Sequence, residues 1–175
     1  KKDIHSPIHG FFWSHVGWIL SDHHEETDFS RVKDFTKFPE LLWLDRYWSL
    51  PVWIYGLALL IFGGWTAVLW GLCVSTVLLW HGTFTINSLS HLWGSQRFET
   101  NDTSRNNGFL SLITLGEGWH NNHHQFPGAA RNGFYWWEFD PTYYFLKTLS
   151  LLRIVGNLRA VPKTVFTKSK QAHSI

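Results

Sequence analysis

Three histidines stand close together late in the chain, His120, His123 and His124, within Gly116-Glu117-Gly118-Trp119-His120-Asn121-Asn122-His123-His124-Gln125-Phe126-Pro127. On a helix, positions i, i+3 and i+4 share one face, so the three imidazoles can converge on a metal ion or on a pair of ions. The plain alternative is a surface helix that happens to be rich in histidine. A second element, Asn87-Ser88-Leu89-Ser90-His91, puts Asn87 and His91 on one helical face at the end of a long apolar run. Polar groups at that depth are costly unless paired or functional, which weighs toward a site shared with the histidine triplet.

The metal follows from ligand type and number. A structural zinc site takes four ligands, usually with cysteine among them, and the single cysteine, Cys73, sits inside the apolar run. It also leaves no internal disulfide framework. Imidazoles suit iron as well as zinc, and a histidine-rich site with open positions suits oxygen activation. Four histidines and one asparagine are too few for two metals, so the sequence reads as holding part of a site. The absence of methionine and the opening Lys1-Lys2-Asp3 give the same expectation, the C-terminal part of a longer protein.

The elements that must position these groups are dominated by apolar helix. From Tyr47 to Gln96 there is no Asp, Glu, Lys or Arg, a run of fifty residues. That is enough for two membrane spans of about 20 residues each. One is expected over about Tyr47 to Phe62 and the other over about Trp65 to His91, with the turn at Gly63-Gly64. A pair of helices buried in a soluble core is the alternative. Against it, Trp43, Tyr47, Trp48, Trp65 and Trp93 fall near the expected ends, where amphipathic rings prefer the headgroup zone. Arg31, Lys33, Lys37 and Arg46 precede the run, and Arg153, Arg159, Lys163, Lys168 and Lys170 follow it, so the positive-inside tendency places both flanks in the cytoplasm.

The whole chain has 175 residues, of which 16% are charged and 18% aromatic, with twelve tryptophans and a net charge of +2. An ordinary soluble domain is roughly 25% charged. Disorder is excluded, and so weak a positive charge without a basic run argues against a nucleic-acid surface. Pro39 is placed to open a short helix, and Asp140-Pro141 to start another whose apolar residues run to a stop at Gly156. The fold class is therefore all-α: a membrane-embedded helical protein with a two-span hairpin and a cytosolic helical cap. Its expected divisions are a cytosolic segment over 1–46, the hairpin over 47–91, a cap with the histidine triplet over 92–162, and a disordered basic tail over 163–175.

Four blocks carry a resemblance. Asp3-Ile4-His5-Ser6-Pro7, Gly10-Phe11-Phe12-Trp13-Ser14-His15-Val16-Gly17-Trp18, Asn87 to His91, and Gly116 to His124 occur in the order and spacing of the membrane fatty acid desaturases. The chain resembles the C-terminal two-thirds of the acyl-CoA (stearoyl-CoA type) delta-9 members, most nearly bacterial ones, from about Asp3 to Pro162.

The resemblance implies a non-haem di-iron centre bound by three histidine boxes and one further histidine. His120, His123 and His124 correspond to the third box, His91 to the further ligand, and Asn87 to a residue that reaches iron through water. The first two boxes would lie upstream of Lys1, so this stretch alone is expected to be inactive. The implied reaction is O2-dependent desaturation of a fatty acyl chain, first acyl-CoA, in a bent tunnel that Phe84 would help to line. Ordinary packing or lipid contact is the alternative for Phe84. Cytochrome b5 and ferredoxin are the plausible electron donors. Membrane lipid is the setting, and the active site faces the cytosol. Ser21-Asp22 stand where animal members carry basic residues that meet the phosphates of coenzyme A, which brings a lipid-linked or carrier-protein-linked chain in behind acyl-CoA.

Glu117 is a candidate outer acceptor that orients an imidazole, or a carboxylate favoured by a helix N-terminus. His5, His9 and His15 read as structural or headgroup-facing, His23 and His24 as solvated, His81 as a core hydrogen-bonder, and His173 as part of the tail. Two other readings stand beside desaturation: a histidine-box hydroxylase or mono-oxygenase, and a non-catalytic membrane protein with a structural metal.

Overall fold

The computed structural model describes residues 6–21 and 27–166. His5, Asp22, His23, His24, Lys168, Lys170 and His173 lie outside the described residues. Two compact units form, one from residues 19–80 and the other from residues 1–18 with 81–175. Helix is the only extended regular structure among the described residues, which otherwise show two isolated antiparallel bridges, Ser95 with Asn106 and Asn106 with Trp119.

The unit over residues 19–80 begins with short helical turns, and then α1 runs over Pro39–Arg46. Pro39 occupies its first turn, where a missing N–H costs nothing. Helix α2 spans Leu50–Val68 but breaks at Gly64, whose φ of 66° and ψ of −167° suit glycine alone. A π-type stretch, Leu69–Val74, leads into α3, Ser75–Asn87.

The chain reverses at the break. Tyr55 Oη donates to the Gly71 carbonyl at 3.2 Å, although a straight helix would hold residues sixteen apart about 24 Å from each other. A methyl at Gly56 would lie 3.2 Å from Leu72 Cδ2, and one at Gly71 would lie 3.1 Å from Leu59 Cδ1, so the two glycines let the arms approach closely.

None of the described residues in this unit is buried. Phe62 is 89% exposed and Trp65 76%. The helical run Leu50–Leu92 is long and apolar enough to cross a membrane, and no part of its most apolar window is buried. A helix pair at the core of a soluble domain would show the opposite.

The other unit is organised around polar groups. Here α4 (Leu89–Leu92), α5 (Gly108–Ile113), α6 (His120–Gln125) and α7 (Pro141–Leu151) are short. Among the described residues the buried hydrophobic side chains are Leu110 and a cluster of Phe98, Phe134 and Val165, with Phe126, Tyr135 and Val161 against the cluster. Val165 lies on a helical turn over 163–166 and its side chain reaches that cluster.

Asn107 caps α5 by accepting from the Phe109 and Leu110 N–H groups, and Asp140 caps α7 by accepting from Tyr143 N–H. Helix α7 ends at Leu151 rather than Gly156. Ile154 N–H donates to the Leu149 carbonyl and Arg153 N–H to that of Ser150, both at 3.0 Å, with Arg153 at φ 59°. This is a Schellman stop in which arginine takes the left-handed position glycine usually fills.

Candidate metal centre

His91 on α4 and His120 and His124 on α6 converge: one ring nitrogen of each lies within 4.8 Å of the others. The His91–His120 and His120–His124 ring centroids are 4.9 and 4.3 Å apart. His91 and His120 are buried, while the His124 side chain is 29% exposed. His123 stands outside the triplet, its ring 6.0 Å from that of His120 and 5.8 Å from that of His124. Asn87 is the last residue of α3 and is half-buried. Phe84 meets the rings of His15 and His81 edge-on at 5.7 and 5.9 Å.

The position of α6 is fixed by two asparagines between the histidines. Asn121 Oδ1 accepts from the Arg97 and Phe98 N–H groups at 2.9 and 2.7 Å, and its Nδ2 donates to the Phe98 carbonyl. Asn122 Oδ1 accepts from Arg97 and from Asn106 Nδ2, while its Nδ2 donates to the Asn132 carbonyl and to Glu138 Oε2. Both side chains are fully buried with all their amide groups paired. Glu138, equally buried, also pairs with Arg97.

The glycines before α6 serve close packing. Gly116 has φ 118° and lies against the Asp140 carboxylate, and a methyl at Gly118 would overlap the Ser111 backbone. Sequence reading singled out the histidines of this block and passed over Asn121 and Asn122. The signal available was the presence of two amides on a helix whose histidine face must turn inward.

Outer contacts orient two of the imidazoles. His124 Nδ1 lies 2.6 Å from Asp102 Oδ2, and His91 Nδ1 lies 3.2 Å from Thr103 Oγ1. Burial alone would raise the Asp102 pKa, but hydrogen bonds from Ser104 and His124 outweigh it and hold the carboxyl well below its usual range. Glu117, weighed above as the outer acceptor, instead accepts from Asn132 Nδ2 at 3.1 Å.

His120 is different. Burial, with His124, His91 and His123 around it, lowers its pKa to about 2. Its Nδ1 is buried without a partner, and its Nε2 faces His91 Nε2 at 3.1 Å. Two neutral imidazoles face each other through their lone pairs only with a proton or a cation between them. A nitrogen-rich pocket of this kind, with His120 held neutral by burial, fits a transition metal such as iron or zinc.

A second histidine pair lies elsewhere in the same unit. His15 Nδ1 is 2.9 Å from Ser88 Oγ, and His15 Nε2 is 3.0 Å from His81 Nδ1, while Phe11 stacks on the His15 ring.

A sequence model of the fatty acid desaturases matches residues 2–150. The chain belongs to the fatty acid desaturase family. It is 40% identical over 164 residues to an sn-2 palmitoyl-lipid 9-desaturase of Nostoc sp., covering 91% of this chain and 58% of that protein. It is 39% identical to an sn-1 stearoyl-lipid 9-desaturase of Synechocystis sp., covering 93% and 51%, and 37% identical to an acyl-CoA 5-desaturase of Anemone leveillei, with the same two coverages. The chain spans about half the length of the curated relatives it matches. In this desaturase-family chain the histidine triplet is the feature with metal-binding geometry among the described residues.

Proposed function

We propose that the protein carrying this chain is a membrane fatty acyl desaturase whose di-iron centre takes His91, His120, His123 and His124 from these residues, with Asn87 acting through water. The observation that carries the reading is the convergence of His91, His120 and His124 in a chain of this family. The remaining ligands would come from outside this chain. When bound, the metals supply the oxidising power, drawn from O2 and two external electrons, that removing two hydrogens from adjacent unactivated methylenes requires.

The chain's own residues hold, orient and enclose. His91 and His120 are both buried, which limits the water around them. Asp102 and Thr103 hold the outer ring edges of His124 and His91, and Asn121 and Asn122 fix the helix that carries His120 and His124. Phe84, on α3, is proposed to line the acyl path. The protein is proposed to be multi-pass, with the site on the cytosolic side, and to draw electrons from a carrier such as cytochrome b5 or ferredoxin.

The double bond is proposed at position 9, in an acyl-CoA. A lipid-linked chain is the second reading, favoured by the two cyanobacterial relatives named for lipid substrates. Expression of the full-length protein in a host lacking desaturase activity, followed by mass spectrometry of fatty acids, tests the proposal. A product lighter by about two mass units that disappears in His120→Ala supports desaturation, and a gain of about sixteen means hydroxylation. No new product from a well-expressed protein overturns it. Brief isotopic labelling separates the carriers, according to whether unsaturated acyl-CoA or unsaturated lipid appears first.

A further inference from the structure

Adjacent residues of one loop grip two of the converging imidazoles by the same edge. Asp102 Oδ2 takes His124 Nδ1, and Thr103 Oγ1 takes His91 Nδ1, although the two histidines sit on different helices. An ionised carboxylate only accepts hydrogen bonds, so His124 Nδ1 must carry the proton, which leaves the Nε2 lone pair bare. His91 Nε2 is already turned toward His120.

The loop that does this is itself fixed. Asp102 Oδ1 accepts from Ser104 N–H at 2.8 Å and from Thr100 Oγ1 at 3.0 Å. Asn121, on the helix that bears His124, donates to the Phe98 carbonyl at 3.0 Å and reaches Thr100 Oγ1 and Ser104 Oγ at 3.4 Å. The two oxygens of Asp102 therefore have separate tasks: Oδ1 shapes the loop and Oδ2 addresses the imidazole.

We propose that Asp102 is a positioning residue that sets the Nδ1-protonated tautomer of His124 and presents its Nε2 atom to a metal, while Thr103 steadies His91 by the same edge. The inference rests on the reading of the triplet as a metal centre. Carboxylate partners of ligating histidines commonly govern metal affinity by 10–100-fold.

Asp102→Asn isolates the second task. Its Oδ1 still accepts from Ser104 and Thr100, but an NH2 now faces His124 Nδ1, which favours the opposite tautomer with Nε2 protonated. The test uses full-length protein in detergent, stripped of metal, titrated with Co(II) and followed by visible absorption, beside thermal unfolding of the metal-free form. The expected result is Co(II) binding about 10–100-fold weaker in Asp102→Asn, an unchanged metal-free melting temperature, and a smaller loss in Thr103→Val that Thr103→Ser restores.

Binding within about two-fold of wild type in Asp102→Asn overturns the inference. So does a fall in metal-free melting temperature that accompanies the affinity loss, because it assigns Asp102 to the loop alone. Wild-type protein that takes up no Co(II) instead removes the metal-centre reading on which the inference stands.

Discussion

Asn122 Nδ2 donates to Glu138 Oε2 at 2.8 Å, and both side chains are sealed from solvent. The amide lies between two histidines of the triplet, so the bond ties the ligand helix to the segment that leads into α7. Asn122→Ala leaves the carboxylate, Arg97 and Asn106 short of partners in a buried place. Loss of one partner from such a network costs about 3 kcal/mol. Thermal unfolding of full-length Asn122→Ala and Glu138→Ala is expected to show large single losses and a double-variant loss well below their sum.

Gly118 cannot carry a side chain. A methyl there would overlap the Ser111 backbone rather than a movable side chain, so α5 would have to shift away from the loop that starts α6. Gly118→Ala is expected to give aggregated protein on size-exclusion chromatography. Gly82→Ala meets nothing within 4 Å and is expected to elute as wild type.

The proposed di-iron centre gives His123 a task distinct from that of the other three histidines. His123 lies beside the converging triplet but outside it, so His123→Ala is expected to retain an ion held by His91, His120 and His124 and to lose its neighbour. Metal analysis should fall from about two ions per protein to about one, with unsaturated product lowered at least about 100-fold. Unchanged lipid composition in His123→Ala would contradict the di-iron reading.

The metal-free protein should weaken in mild acid. His120 titrates near 6.5 when unfolded and near 2 when folded, so below 6.5 the unfolded chain binds the extra proton and stability falls as pH falls. One group of this kind costs up to about 1.4 kcal/mol per pH unit, or about 2 kcal/mol between pH 6.5 and 5. Urea unfolding of metal-free protein across this interval should show the slope, and His120→Asn should reduce it.

The close approach of the two helical arms depends on Gly71. A leucine there would be driven into Leu59, a small-to-large change that costs about 1–3 kcal/mol. Gly71→Leu should lower the melting temperature in detergent while leaving the Co(II) affinity unchanged, because the arms and the ligand triplet belong to different compact units.

The sequence made some of this legible for identifiable reasons. His120 and His124 were readable because helical periodicity places them on one face, and the apolar run was readable because charge is missing for fifty residues. Gly64 stood out because a glycine pair interrupts that run. Asp102 was not readable: it lies in a polar stretch, Glu99-Thr100-Asn101-Asp102-Thr103, that looks like a solvated loop, and it is twenty-two residues from the imidazole it touches. The end of α7 was misplaced because a Schellman stop favours glycine without requiring it, and Arg153 took the position three residues before Gly156.

The interior of the ligand-bearing unit is mostly hydrogen-bonded polar groups. Among the described residues, thirteen polar or charged side chains are buried and only four hydrophobic ones. On unfolding, newly exposed apolar surface raises the heat capacity and newly exposed polar surface lowers it. The two contributions here offset each other more than in a greasy core, so the stability of this unit should vary with temperature along a shallow curve. Cooling, which erodes hydrophobic cohesion, would then leave the spacing of the ligand nitrogens nearly untouched.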